Sequence, residues 1–265
     1  MAKPRVLILR APGTNCDPET AFAFDRAGGQ SQVVHLNRLV EKPDLVNDFQ
    51  ILCIPGGFSF GDDIAAGRIF AQQMQHHVAD ALHAFRSQEK LVLGICNGFQ
   101  VLINTGLLLS AEESEGRPAT LTWNDCRKYE DRWVQLSCDS RKCVFLDGVD
   151  AMYLPIAHAE GRFVARCDKQ LQTWSEQGQL ALRYSLPAEQ QGKAASGSGV
   201  PYPWNPNGSM ADVAGVCDAS GRIFGMMPHP ERFIEPIQHP RWTREPNREV
   251  GDGLAIFQNA IKFFG

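Results

Sequence analysis

Residues 90–109 read KLVLGICNGFQVLINTGLLL. From Leu91 to Leu109 the chain runs 19 residues without a charge, close to the length that a bilayer crossing needs. Asn97, Gln100, Asn104 and Thr105 interrupt the run, and Gly94 and Gly98 bracket a turn inside it. The pattern predicts a buried strand over Lys90–Ile95 and a helix over Gly98–Leu108. A continuous apolar strand feeding directly into a helix is the unit of a parallel sheet covered on both faces.

Toward the N-terminus the same alternation repeats. Arg5–Arg10 is a short apolar strand. Asp17-Pro18-Glu19 opens a helix, with Asp17 as its N-cap, and Gly28-Gly29 ends it. Gln32–Leu36 and Asp48–Ile54 are further strands, the second running into Pro55-Gly56-Gly57, and residues 69–87 have the periodicity of one long amphipathic helix. Past residue 118 the segments 119–123, 132–138, 151–158 and 180–184 are shorter and mixed in polarity, which predicts antiparallel additions to the sheet. Val213–Cys217 and Arg222–Met227 form a hairpin around Ala219-Ser220-Gly221, and Asp252–Phe264 is a terminal amphipathic helix. Residues 186–204, rich in Gly, Ser, Pro and Gln, are expected to be a mobile loop. No internal repeat is evident. The expected architecture is α/β, one domain over 1–265 with a mostly parallel central sheet.

Composition narrows the function. With 43% hydrophobic and 21% charged residues, the chain has the makeup of a globular protein, not of collagen, a coiled coil or a disordered segment. A net charge of −4 gives no basic footprint for nucleic acid and no polybasic membrane patch. The N-terminal apolar run, Val6–Leu9, is shorter than a secretory signal requires. Eight cysteines are spread over 265 residues with no C-x-x-C, which reads as reduced thiols in a cytoplasmic protein.

Three motifs carry chemistry. Gly94-Ile95-Cys96-Asn97-Gly98 is the cysteine form of a nucleophile elbow: small residues permit the sharp strand-to-helix turn, and Cys96 projects over the positive end of a helix. A sulfur nucleophile needs a base and a group that orients the base. Pro228-His229-Pro230-Glu231 offers both, provided the chain stays extended so that His229 and Glu231 point the same way. His158 and Glu160 form a competing pair, and spacing alone leaves the choice open. Ile54-Pro55-Gly56-Gly57 ends a strand, so that the Gly57 N–H, with that of Asn97, can face a developing oxyanion. His76-His77 and Asp62-Asp63 read as solvated, no metal site is assigned, and the remaining cysteines read as core filler. No G-x-x-x-x-G-K-[ST] or G-x-G-x-x-G phosphate cradle occurs.

Pro12-Gly13-Thr14-Asn15-Cys16-Asp17, residues 55–62, residues 94–100, Pro155–His158, Asn205–Ser209 and Gly225–Arg232 together resemble the class I (triad) glutamine amidotransferases, over nearly the whole chain. That resemblance implies a flavodoxin-like three-layer sandwich, with Cys96 as nucleophile, His229 as acid and base, and Glu231 as its orienter. It implies oxyanion N–H groups at Gly57 and Asn97, and glutamine contacts at Gly57, Phe58, Gln100, His158 and Gly161. The narrower motifs resemble the branch serving purine biosynthesis. They imply glutamine as substrate, a large synthetase partner that carries ATP and Mg²⁺, a small accessory subunit, and no cofactor in this chain. Ala159 stands where the family more usually has Gly, and 186–204 is longer than in compact members.

Overall fold

The computed structural model describes residues 2–109, 116–139, 141–190, 199–244 and 248–265. The first half alternates strands and helices: β1 (Arg5–Arg10), α1 (Asp17–Arg26), β2 (Gln30–His35), α2 (Leu36–Glu41), β3 (Ile51–Ile54), α3 (Arg68–His77), α4 (Ala79–Ser87), β4 (Leu91–Ile95) and α5 (Asn97–Thr105). The second half is strand-rich: β5 (Ala119–Thr122), β6 (Glu130–Cys138), β7 (Ala151–His158), β8 (Arg162–Ala165), α6 (Asp168–Glu176), β9 (Leu182–Tyr184), β10 (Val213–Cys217), β11 (Ile223–Met226) and α7 (Leu254–Lys262).

Nine strands form one sheet in the order β2-β1-β3-β4-β11-β10-β9-β6-β7. It is parallel from β2 to β11 and antiparallel from there to β7. Every residue of β3, β4 and β11 is buried, as expected of central strands covered on both faces. On β7 buried and partly exposed residues alternate. Helix α1 packs on α7, with the Phe24 and Phe257 rings 4.9 Å apart, and α3 packs on α5. The fold is a three-layer α/β sandwich. Helix α5 starts hard against β3: a β-carbon on Gly98 would lie 1.8 Å from the Ile54 carbonyl oxygen. No described helix is long and apolar enough to cross a membrane.

Several local expectations are corrected. The helix expected over 69–87 is two helices, because Val78 leaves helical backbone (φ −134°, ψ 15°) where its side chain turns into the core. Asp17 is the first residue of α1, not its cap; Cys16 holds the cap position, and Asp17 pairs with Arg10 at 3.4 Å. The strand expected over 48–54 is confined to β3, because Pro43–Asp48 form a 3-10 turn. Segment 119–123 does not extend the main sheet; β5 pairs with β8 in a separate two-stranded sheet. The mobile loop expected at 186–204 lies partly outside the described residues, since 191–198 are not described.

Candidate active site

Cys96 sits between β4 and α5 at φ 50°, ψ −104°, a backbone conformation that a non-glycine residue seldom adopts and that marks functional turns. Its N–H donates to the Met226 carbonyl at 2.7 Å. That bond continues the parallel pairing of β4 with β11, in which Gly94 faces Gly225 and Ile95 faces Met226. The register delivers the residues just past β11 to the elbow. His229 is among them, its own N–H bonded to the Pro155 carbonyl of β7 at 2.9 Å. The Cys96 thiol points toward the same strand, 3.7 Å from the Ala157 carbonyl oxygen.

His229 Nδ1 lies 2.6 Å from Glu231 Oε1, and both side chains are buried. Pro230–Arg232 form a 3-10 turn. The extended link expected between His229 and Glu231 is therefore replaced by a turn that folds the carboxylate back onto the ring. Burial, the largest single influence, lowers the imidazole pKa; the facing Glu231 carboxylate, Cys96 and Cys16 together outweigh it, and the net position is well above the usual histidine range. His229 Nε2 and Glu231 Oε2 make no hydrogen bond among the described residues. The carboxylate is thus spent on the imidazole, and the opposite ring nitrogen is left available for a reacting group.

His158 is arranged differently. Its Nδ1 faces Asn124 Oδ1 at 3.1 Å, while Glu160 turns its Oε2 to the Ala66 N–H at 3.5 Å. Burial, helped by nearby His229, pushes His158 down to about 3, so the ring is neutral. The two His/Glu pairs that spacing left equivalent are now distinct: one is joined, the other separated.

Cys96, Gly57, Phe58, Gln100 and His158 line one small, partly open cavity of about 30 Å³. A larger recess of about 570 Å³, between Trp133, Tyr153, Trp204 and Arg241, contains none of the motif residues.

Residues 3–264 match the family model of the CobB/CobQ-like glutamine amidotransferase domain. The chain belongs to this family. It is 44% identical over 264 residues to the phosphoribosylformylglycinamidine synthase subunit PurQ of Dehalococcoides mccartyi, covering 99% of this chain and 98% of that one. It is 40% identical over 273 aligned positions to PurQ of Methanococcus maripaludis, covering 98% and 97%. Among solved structures, PurLQS from Thermotoga maritima superposes with a TM-score of 0.73 at 29% identity, over the whole of both chains. A glutamine amidotransferase from Thermotoga maritima, at TM-score 0.52 and 14% identity, shares the fold.

In this amidotransferase Gly57 and Gln100 line the Cys96 cavity, and Asn97 and Gly161 lie against residues that do, Gln100 and His158. Gly57 has φ 142°, and a β-carbon there would meet the backbone of 13–15 within 2.9 Å. Asn97 uses its side chain as a brace, accepting from the Ser59 N–H at 3.2 Å and donating to Asp62 and Gln100 at 3.2 and 3.0 Å. Gln100 is bonded on its other side to the Glu160 carbonyl at 2.6 Å, so its amide is already engaged. Gly161 lies against the His158 ring, and a β-carbon would fall 2.3 Å from its Cε1. Ala159 has no left-handed backbone and accepts from the Asn124 N–H at 2.8 Å, so the alanine is accommodated without strain.

Four residues escaped the sequence reading. Asn124 is buried and holds both His158 and the Gly161 N–H, at 3.1 and 3.2 Å; an isolated Asn after a strand gives no signal. Asp62, read as solvated, is half-buried, borders the Cys96 cavity, and is raised by that burial. Tyr129 stacks on Phe58 at 6.5 Å. Cys16, read as core filler, has its sulfur, a His229 nitrogen and a Glu231 oxygen within 4.8 Å of one another; its motif was the available clue. Those three atoms have the chemistry of metal ligands. However, Arg232 already donates to the sulfur at 3.2 Å, and a metal cation there would have to displace it. Cys126 and Cys167, also read as filler, are exposed.

Proposed function

We propose that this chain is the glutaminase subunit of a phosphoribosylformylglycinamidine synthase, acting in the cytoplasm and delivering ammonia to a synthetase subunit. The observation that carries the reading is the buried 2.6 Å His229–Glu231 pair beside a strained cysteine at a strand-to-helix elbow, in a chain 44% identical to a PurQ subunit.

In this reading Cys96 gives its thiol proton to His229, and its sulfur attacks the side-chain carbonyl carbon of glutamine. The carbonyl oxygen becomes an oxyanion facing the Gly57 and Asn97 N–H groups, each such donor contributing about 3–4 kcal/mol. His229 protonates the departing nitrogen, ammonia leaves, and a glutamyl thioester remains. His229 then takes a proton from water, which releases glutamate and restores the thiol. Glu231 holds the ring in one tautomer and stabilises its protonated form. The synthetase partner, with ATP and Mg²⁺ and a small accessory subunit, consumes the ammonia to convert formylglycinamide ribonucleotide to the amidine.

The test is glutamate release from glutamine by the chain alone and with synthetase, ribonucleotide, ATP and Mg²⁺. Little release alone and a large rise in the full mixture is expected; fast release unchanged by the synthetase would indicate a free-standing glutaminase. Cys96→Ala should abolish glutamine-dependent synthesis and spare synthesis from added ammonia. Loss of both would refute the division of labour.

A further inference from the structure

Cys16 is buried, yet its sulfur is surrounded by polar groups. The thiol donates to Asn15 Oδ1 at 3.3 Å and accepts from Arg232 Nη2 at 3.2 Å, while Arg232 Nε is held by Glu19 at 3.1 Å. The backbone of Cys16 is clamped as well. Its N–H donates to the Gly56 carbonyl at 3.2 Å, and its carbonyl accepts from the Thr20 N–H and hydroxyl at 3.0 and 2.7 Å. Sulfur and imidazole crowd the same point: a β-carbon on Gly56 would lie 2.8 Å from His229 Cε1 and 3.1 Å from Cys16 Sγ. Burial raises the Cys16 pKa and so keeps the group a neutral thiol, suited to packing and hydrogen bonding. Core filler needs none of these partners.

We propose that Cys16 is a positioning residue for His229: Arg232 and Asn15 orient its sulfur, and the sulfur confines the imidazole to the place where Nδ1 meets Glu231 and the other nitrogen faces Cys96. The proposal rests on His229 being the base of the glutaminase. Two groups fix a ring better than one, because Glu231 restrains a single nitrogen about which the imidazole can still swing. A misplacement of about 1 Å near a reacting centre costs up to a hundredfold in rate. The Pro12–Asp17 motif then has a reason for its cysteine beyond the turn it makes.

The test compares Cys16→Ala, Cys16→Ser and Arg232→Lys in the full chain. Readouts are kcat and KM for glutamine in the assembled complex, and chloroacetamide labelling of Cys96 in the free chain by peptide mass mapping. The exposed Cys126 and Cys167 serve as internal references. Cys16→Ala is expected to lower kcat about tenfold with KM within twofold, and to slow Cys96 labelling in parallel. Cys16→Ser, which keeps partners for Asn15 and Arg232, should recover most of the loss. Arg232→Lys alters the sulfur's support from a partly exposed position and should give a smaller loss of the same kind, which keeps the proposal testable if Cys16→Ala does not fold. Wild-type kinetics in Cys16→Ala, or a loss of kcat with Cys96 labelling unchanged, would overturn the positioning role. His229→Gln is the separate control: undiminished turnover in that variant would overturn the triad reading itself, and this proposal with it.

Discussion

Replacing Glu231 by Gln isolates what the carboxylate does. The change is nearly isosteric, and the two side chains are 2% and 0% exposed, so water cannot substitute for the lost partner. In the native chain Glu231 Oε1 accepts from Nδ1 at 2.6 Å, a bond that fixes the proton on Nδ1 and favours the imidazolium formed when Cys96 gives up its proton. An amide removes the charge, and it can also present its NH₂ to the ring, forcing the proton to the other nitrogen and blocking the base. A buried hydrogen bond to a charged group contributes about 2–3 kcal/mol, which corresponds to roughly a hundredfold in kcat. Glu231 is the largest influence raising the native imidazole against burial; without it the pKa falls. KM should change little, because Glu231 does not border the Cys96 cavity. The assay is initial glutamate release at varied glutamine with the synthetase and its substrates present, and thermal unfolding serves as a check on folding. A kcat within threefold of wild type, or a tenfold rise in KM at unchanged kcat, would refute the reasoning.

Three further outcomes are expected. His158→Ala should reduce glutamine turnover less than His229→Ala, because only His229 is joined to a carboxylate; the reverse ranking would reassign the base. His158 also links stability to pH. Its folded pKa of about 3 lies below the ordinary value of 6.5, so between these values the unfolded chain binds a proton that the folded chain does not. Stability is fully present above about 6.5 and falls as pH drops, by up to about 1.4 kcal/mol per unit. Urea unfolding of His158→Gln should therefore show a shallower loss between pH 6.5 and about 4.5 than wild type, and equal slopes would remove the argument. Gly161→Ala places a methyl carbon 2.3 Å from the His158 ring, so the ring must leave Asn124; glutamine KM should rise by about tenfold or more, and an unchanged KM would show that this wall is dispensable.

Much of the fold was legible because its causes are local. Burial of β4 on both faces makes residues 91–95 a continuous apolar run, and the approach of α5 to Ile54 leaves room only for Gly98. Where tertiary packing overrode local preference, the sequence pattern failed. Residues 69–87 keep a helical period although Val78 breaks the helix. Segment 119–123 has the composition of a sheet strand, yet its partner is β8.

The site divides along the same line. The amino-acid sequence by itself determined the elbow at Cys96, the His-Pro-Glu run and the family, since each is written in contiguous residues whose backbone and chemistry depend on near neighbours. Only the tertiary structure decided which His/Glu pair is joined, because His229 reaches Cys96 through the parallel pairing of β4 with β11. It also decided that Glu231 returns by a 3-10 turn instead of an extended link. The packing of Cys16 and Arg232 around His229, and of Asn124 around His158, depends on distances between residues far apart in the chain. Those distances are set when helices and loops settle on the sheet, and no local pattern of residues encodes them.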